Sequence, residues 1–144
     1  EAIPVKIVIN GNFDPLHSGH IAFFRKVIPL GDLIIILNND AVVCRKKGYV
    51  FMGEKERQTI LENIKGVSKV VIAGKPDNNA KAIASVLKTI RPDVLAISQY
   101  SSRTDELITI CQELGIEVRK FRHKNNQSSS KLVRSLNDNL KGAV

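Results

Sequence analysis

The segment VKIVINGNFDPLHSGHIAFFRKV, residues 5–27, decides how this chain folds. Its first five residues, Val5 to Ile9, form the apolar run of a buried strand, and Ile21 to Val27 have the apolar spacing of a helix. The polar, glycine-containing stretch between them is therefore a turn that leads from a strand into a helix. Parallel α/β sheets are built from such units.

Four more strand-like runs follow, and segments with helical spacing separate them. We predict strands at 32–38, 69–73, 93–97 and 116–121, and helices at 54–65, 79–90, 104–114 and 129–140. The polar and basic segment 39–53 is interpreted as a loop over a site. Strands that alternate with helices imply right-handed crossovers. We therefore predict an α/β fold in which residues 1–144 form a single Rossmann-like, doubly wound domain with a five-stranded parallel sheet of order 3-2-1-4-5.

The predicted strand order also predicts where a ligand binds. In doubly wound sheets, ligands lie beyond the carboxyl ends of the strands, at the point where the strand order reverses. Here that point lies between strand 1 and strand 4. The turn after strand 1 and the loop from Ser98 to Ser102 are therefore expected to line one crevice.

Two of the three histidines in the chain, His17 and His20, lie in the first turn. They are three residues apart at the start of a helix, so that both can lie on one face. A helix N-terminus offers free N–H groups and a positive dipole end, which favour a phosphate. The alternative is that the histidines only cap or pack the turn. The pattern favours a site for phosphate chemistry.

The formal net charge of +8 is compatible with nucleic-acid binding or with a small anionic substrate. Aromatic residues make up only 5% of the chain and do not interleave with the basic groups, so that a small anion is favoured and no nucleic-acid partner is expected. Cys44 and Cys111 lack metal-ligand spacing and are expected to be free thiols. No apolar run approaches the length of a membrane span and no signal-peptide pattern is present, which predicts no membrane partner and a cytoplasmic location.

The first turn resembles the signature of the HxGH nucleotidyltransferases, the cytidylyltransferase-like superfamily, in the pattern Gly-x-Phe-Asp-x-x-His-x-Gly-His. The resemblance implies transfer of a nucleotidyl group from a nucleoside triphosphate to a small phosphorylated acceptor, with release of pyrophosphate. It implies catalytic roles for His17 and His20. The residues for which it implies nucleotide binding are Gly11, Asn12, Phe13, Asp14 and Gly19.

Three shorter segments resemble later parts of the same family. Lys47, with Lys46 as the neighbour open to confusion, matches a lysine that neutralises phosphate charge and is taken as catalytic. Arg57 matches an arginine that reaches the nucleotide phosphates, although a surface pair with a glutamate is the competing interpretation. Ser128, Ser129 and Ser130 match a C-terminal serine motif that binds phosphates, unless they are an ordinary helix cap.

The resemblance is closest in pattern to the heptose-phosphate adenylyltransferases and the glycerol-phosphate cytidylyltransferases. Phosphopantetheine or flavin mononucleotide as the acceptor, and a non-catalytic nucleotide sensor, stay open as alternatives, and the base (ATP or CTP) is not specified. Mg²⁺ is expected to bridge phosphate oxygens without a dedicated set of protein ligands. Asp14 either orients that ion or fixes the loop through backbone N–H groups. A homodimer, common among similar proteins, is left open.

Overall fold

Strands and helices alternate along the chain in the structure, a computed structural model that describes residues 4–74, 79–101 and 104–142. Within these ranges the strands and helices follow one another in the predicted order, with one added α-helix and a short 3-10 helix, Ile28–Leu30. The strands are β1 (Lys6–Gly11), β2 (Asp32–Asn38), β3 (Val67–Ala73), β4 (Val94–Ser98) and β5 (Glu117–Phe121). The helices are α1 (Ser18–Val27), α2 (Asp40–Lys47), α3 (Glu54–Glu62), α4 (Asn79–Ile90), α5 (Asp105–Glu113) and α6 (Ser129–Gly142).

The sheet has the order β3-β2-β1-β4-β5, and every pairing is parallel. The predicted α/β fold and strand order are therefore confirmed. β1 lies in the centre, with β2 on one side and β4 on the other, the latter through Ile7 opposite Val94 and Val8 opposite Leu95. The strand order reverses between β1 and β4, so that a crevice opens beyond the carboxyl ends of these two strands.

Both faces of the three central strands, β2, β1 and β4, are largely buried, as their continuous apolar runs predict. Residues alternate between the two faces along each strand because successive side chains point in opposite directions. Ile7 and Ile9 of β1 pack with α1 and α3 residues such as Phe24 and Leu61. Val8, on the other face, belongs to the cluster formed with α4 and α5. A sheet covered in this way is rigid, and it fixes the positions of the turns at its edge.

The prediction that residues 39–53 form a loop is wrong over its first half, because α2 lies there. Asn39 caps this helix by accepting the N–H of Val42 on its side-chain oxygen, and Gly48 ends it with a φ of 85°. Only Val42 and Val43 of α2 are buried, so that the segment lacks the broad apolar stripe by which helices are usually recognised. The cap residues at its two ends were the available signal.

The last helix, α6, carries its apolar residues on a largely exposed surface, with Leu136 45% and Leu140 59% exposed. It begins beside the site, at the predicted Ser129. In the described part of the chain no helix has the length and apolar content needed to cross a bilayer.

Candidate active site

The turn after β1 has a strained backbone held in place by packing. Phe13 has a φ of 50°, in the left-handed region that non-glycine residues rarely adopt. Its ring is buried and contacts His20 and Phe24 edge-on, at centroid distances of 5.0 and 5.6 Å. Gly11 makes room for the ring, because a Cβ there would meet Phe13 Cζ at 2.7 Å. Both residues therefore shape the turn that presents the histidines.

His17 and His20 form the cap of α1. The N–H of Gly19 donates to Nδ1 of His17 at 3.0 Å, and the N–H of His17 donates to Nδ1 of His20 at 3.1 Å. The N–H of His20 donates to the carbonyl of His17. The sequence predicts free N–H groups here, but those of Gly19 and His20 are already bonded. The imidazoles are therefore the side-chain donors that remain at this helix end.

The hydrogen bonds of the two histidines fix the positions of their protons. Because each Nδ1 accepts an N–H, each neutral ring carries its proton on Nε2. Burial and then the neighbouring Lys47 lower the pKa of His17. Burial, followed by the charges of His17, Lys47 and His123, lowers the pKa of His20 to about 3. The two rings stack at a centroid distance of 3.8 Å. Near neutral pH the turn thus presents a pair of neutral Nε2–H donors.

Asp14 fixes the loop that follows α2. Its carboxylate is fully buried and accepts the N–H groups of Phe51 at 2.7 Å and of Met52 at 2.6 Å. Of the two roles that the sequence leaves open, the geometry supports the backbone contact, because each oxygen already has a donor. Asp14 therefore holds this loop against the first turn and does not present a free carboxylate.

The side chain of Arg57 is buried and connects three loops at the edge of the sheet. Its Nε donates to the carbonyl of Met52, and its Nη1 donates to the carbonyls of Asn12 and Asn38, all at 2.8 Å. Its Nη2 forms an ion pair with Asp40 at 2.7 Å. The predicted reach to the phosphates and the alternative pair with a glutamate both differ from this arrangement. Four of the five donors are occupied by protein, so that Arg57 holds the site together.

A cavity of about 260 Å³, which we call the histidine cavity, opens over the turn. Lys47, at the end of α2, lines it together with both histidines, whereas Lys46 does not. Burial lowers the pKa of Lys47; Asp14 acts in the opposite direction, and Arg57 lowers it further. The cavity has no carboxylate among its described lining residues. A cavity lined by hydrogen-bond donors and one cation, with no carboxylate to oppose them, is suited to bind an anion.

The start of α6 closes the histidine cavity on one side. Ser128 accepts the N–H of Lys131 on its hydroxyl, and Ser129 donates its hydroxyl to the carbonyl of Pro15 at 2.7 Å. Both line the cavity, but the exposed Ser130 does not. The three predicted serines are therefore brought to the site unequally: Ser128 caps the helix, and Ser129 ties it to the first turn.

Gly19 allows α6 and the loop before it to lie this close. A Cβ at Gly19 would overlap the side-chain oxygen of Asn125 and would meet Cε1 of His17 at 2.8 Å. The same oxygen of Asn125 accepts the N–H of Gln127. The glycine of the signature thus serves close packing between the first turn and the last loop.

A second cavity of about 400 Å³ lies on the other face of the sheet. We call it the apolar cavity after its apolar wall, which is formed by Ile83 of α4, Ile97 of β4 and Leu107 and Ile110 of α5. The same lining includes polar or charged side chains, namely Asn10, Asn12, Asn38, Lys46, Ser101, Thr104 and Glu106. The two cavities share five lining residues, Asn10, Gly11, Asn12, Phe23 and Ser101. They therefore meet at the end of β1.

Sequence reasoning missed the amide side chains at the ends of β1 and β2. Asn10 and Asn38 line the apolar cavity, with Asn10 at the histidine cavity as well. Amide side chains at the carboxyl ends of two adjacent strands were the available signal.

The predicted loop from Ser98 to Ser102 brings Ser98, Tyr100 and Ser101 to the histidine cavity. The hydroxyl of Ser98 bonds to Nε2 of His123, whose ring stacks on Phe23. Ser102 lies outside the described residues.

The described residues contain no group of three or more His, Cys, Asp or Glu side chains that could hold a metal ion. Asp14, the carboxylate nearest to the histidines in sequence, has both oxygens engaged by backbone N–H groups. The donor set therefore does not fit a metal ion bound by protein alone. A magnesium ion would have to be held mainly by the phosphates of a substrate.

Comparison with known proteins relates this chain to one family and to several of its named members. The family model described as "Cytidylyltransferase-like" matches residues 8–135. A FAD synthase of Aciduliprofundum boonei is 32% identical over 123 residues, which are 83% of this chain and 78% of that protein. A FAD synthase of Pyrococcus horikoshii is 29% identical over 142 residues, or 93% of each chain. The protein named "Bifunctional protein HldE" of Helicobacter pylori is 32% identical over 91% of this chain and 27% of its own length.

A solved structure supports the same fold. The crystal structure of the lipopolysaccharide core biosynthesis protein from Thermoplasma volcanium matches with a TM-score of 0.67 and 22% sequence identity. The match covers 86% of this chain and 99% of the other. At this identity the likeness concerns the fold alone.

Proposed function

The chain belongs to the Cytidylyltransferase-like family of nucleotidyltransferases, and on that premise we propose that it transfers the adenylyl group of ATP to flavin mononucleotide (FMN). The products are FAD and pyrophosphate. Relatives named FAD synthase, matched over most of their length, support this choice of substrates. FMN was one of the alternative acceptors that the sequence left open, and it now takes first place.

The observation that carries the proposal is the apolar cavity that meets the histidine cavity at Asn12. A transferase needs two adjoining compartments, one for the triphosphate and one for the acceptor. The isoalloxazine ring of FMN is flat and largely apolar, and burying it against Ile83, Ile97 and Leu107 contributes about 25 cal/mol for each Å² removed from water. The FMN phosphate and the α-phosphate of ATP then meet at the junction, and the rest of the triphosphate lies over the histidines.

In this arrangement, an oxygen of the FMN phosphate attacks the α-phosphorus of ATP. The bond from that phosphorus to the oxygen bridging to the β-phosphorus breaks, and pyrophosphate leaves. The acceptor is already an anion, so that no general base is needed. The Nε2–H groups of His17 and His20 donate to phosphate oxygens as charge moves toward the leaving group, and Lys47 neutralises charge. Enzymes of this kind generally use a divalent metal, and Mg²⁺ bound by the phosphates would add further charge neutralisation.

A sugar phosphate is the second candidate acceptor. The relative named "Bifunctional protein HldE" favours it, and the polar groups of Ser101, Thr104 and Glu106 at the apolar cavity could bind hydroxyls. The isoleucine and leucine side chains of the apolar cavity disfavour a sugar phosphate, because sugar hydroxyls placed against them would lose their hydrogen bonds to water.

The test is product formation in a crossed panel. ATP and CTP are each combined with FMN, a heptose phosphate, glycerol 3-phosphate and phosphopantetheine in the presence of Mg²⁺, and pyrophosphate and the dinucleotide product are quantified. The proposal expects product from ATP with FMN at a rate at least tenfold above every other pair. Turnover with a different pair, or with none, would overturn it.

A variant of the apolar cavity tests the place of the flavin. Leu107→Gln puts a polar amide into the cavity wall and is expected to raise the KM for FMN about tenfold while leaving the KM for ATP within twofold, because one misplaced polar group costs on the order of 1–3 kcal/mol. Leu136→Gln, on the exposed surface of α6, is the matched control. Equal changes in both KM values for Leu107→Gln would place the flavin elsewhere.

A further inference from the structure

Three asparagine side chains form a chain of hydrogen bonds at the junction of the two cavities. Nδ2 of Asn10 donates to the carbonyl of Ile36 and to Oδ1 of Asn38, each at 2.9 Å. Nδ2 of Asn38 then donates to Oδ1 of Asn12 at 2.6 Å. The three residues come from the end of β1, the end of β2 and the first turn.

The order of donors and acceptors along these hydrogen bonds is fixed at one end by the backbone. The carbonyl of Ile36 can only accept, so that Asn10 must turn Nδ2 toward it. The second hydrogen on that nitrogen meets Asn38, which must therefore present its oxygen there and its nitrogen to Asn12. Asn12 in turn must present its oxygen to Asn38. Nδ2 of Asn12, with its two hydrogens, is therefore not used in the hydrogen bonds among the three asparagines.

Asn12 lies where the orientation of its amide can affect the binding of a phosphate. Asn38 is buried, only 2% exposed, whereas Asn12 is partly exposed and lines both cavities. Phosphate oxygens only accept hydrogen bonds when ionised, so that an amide nitrogen facing the junction attracts them and an amide oxygen repels them. Arg57 donates to the backbone carbonyls of both Asn12 and Asn38. The backbone is thus held independently, and the asparagine side chains decide only which way the Asn12 amide faces.

We propose that Asn38 is a positioning residue: with Asn10, it keeps the Asn12 amide turned so that Nδ2 donates to an oxygen of the ATP α-phosphate at the junction of the two cavities. This inference rests on the proposed transfer reaction for the identity of the phosphates. Asn12 contacts the substrate, and Asn38 acts through Asn12.

The test is the isosteric variant Asn38→Asp. Its carboxylate still accepts from Asn10 but cannot donate to Asn12, and it accepts from Nδ2 of Asn12 instead, so that the amide turns its oxygen to the junction. The expected result is a fall in kcat on the order of a hundredfold. Asn39→Asp is the matched control, since it adds the same charge one residue along while its side chain bonds Val42 and Ala73 and not Asn12. That control is expected to change kcat less than fivefold.

A double-mutant cycle separates orientation of the amide from simple charge repulsion. If Asn38→Asp acts through the Asn12 amide, it does little further harm once Asn12→Ala has removed that amide, and the double variant matches Asn12→Ala within threefold. Full additivity of the two effects, or wild-type kcat for Asn38→Asp in a protein that melts at the wild-type temperature, would overturn the inference.

A binding measurement keeps this inference distinct from the proposed function. ATP affinity, measured by calorimetry with Mg²⁺, does not depend on the acceptor. Asn38→Asp is expected to weaken it on the order of tenfold, the usual cost of a lost hydrogen bond to a charged group, and Asn39→Asp less than twofold. Failure of the wild-type protein to form FAD would reject FMN as the acceptor. Equal ATP affinities of the wild type and Asn38→Asp would instead reject the positioning role of Asn38.

Discussion

At the scale of single residues, the two ring nitrogens of each histidine in the first turn are placed differently. Each Nδ1 accepts a backbone N–H at the start of α1, and this contact leaves Nε2–H free for a phosphate. The sequence presented capping and phosphate binding as alternatives. The structure supports capping by one ring nitrogen and leaves the other available, so that the cap itself selects the tautomer that donates.

The lowered pKa of His20 predicts an acid-sensitive fold. Burial, with His17, Lys47 and His123, lowers this pKa from 6.5 to about 3. Above pH 6.5 the imidazole is neutral in both the folded and the unfolded protein. As the pH falls from 6.5 toward 3, only the unfolded state takes up the proton, so that the free energy of unfolding falls by up to about 1.4 kcal/mol per pH unit.

Urea denaturation at pH 7, 6 and 5 measures this dependence. The variant His20→Asn, which has no imidazole, is expected to lose less stability over that range than the wild-type protein. Parallel curves for the two proteins would show that His20 does not contribute to the acid sensitivity.

Lys47 is expected to matter for turnover through its charge. Lys47→Met keeps much of the side-chain length and removes the cation from the histidine cavity, which should lower kcat on the order of a hundredfold because a charge that stabilises the transferring phosphates is lost. Lys55→Met, on the exposed side of α3, is the control for net charge. Steady-state pyrophosphate release compares the two, and equal small effects would exclude Lys47 from the reaction.

At the scale of elements, Arg57 shows how α3 organises the site. One guanidinium bonds to Met52, Asn12, Asn38 and Asp40, and thereby joins the ends of β1 and β2 to α2 and the loop after it. Lysine cannot reproduce that planar set of donors. Arg57→Lys is therefore expected to lower the free energy of unfolding by about 3 kcal/mol or more.

The control for this substitution is Arg119→Lys. Arg119 pairs with Glu117 in the open, with the two side chains 46% and 56% exposed, and its replacement should cost less than about 1 kcal/mol. Urea unfolding of both variants decides the matter. A loss at Arg57 no larger than that at Arg119 would show that the buried arginine does not hold the loops together.

The elements also show what the sequence could predict. Strands β1, β2 and β4 are continuous apolar runs between helical segments, and their order follows from rules of chain connection, so that the sheet and its crevice were predictable. The helix α2 was not, because it buries only two residues. The contacts of Arg57 were not either, because a short motif indicates a residue type and not the atoms that its side chain reaches across the fold.

At the scale of the whole molecule, the charge of +8 is concentrated in part beside the site. Arg25, Lys26, Arg122 and Lys124 are exposed and line an open groove. No carboxylate is among the described residues that line it, and it adjoins the histidine cavity through Tyr100, His123 and Asn125. Such a surface raises the encounter rate with an anionic substrate, an effect that salt screens.

We therefore expect kcat/KM for ATP to fall as NaCl is raised from 50 to 300 mM. The double variant Arg122→Gln with Lys124→Gln should weaken that dependence. Lys69→Gln, at the opposite edge of the sheet on β3, should leave it unchanged. If the salt dependence is identical in all three proteins, the groove does not steer the nucleotide.

The central claim is that Nε2–H of His20 serves nucleotidyl transfer, and two variants of His20 test it most directly. In His20→Asn the amide oxygen can replace Nδ1 as acceptor of the N–H of His17, but no donor reaches the cavity. In His20→Gln the longer amide can replace the Nε2–H donor, and the cap is lost instead.

The measurement is pyrophosphate release with ATP and FMN, together with ATP affinity. We predict that His20→Asn keeps its ATP affinity within a few-fold but loses on the order of a hundredfold in kcat, while His20→Gln retains more turnover. Wild-type kcat for His20→Asn, or a lower kcat for His20→Gln than for His20→Asn, would contradict the account.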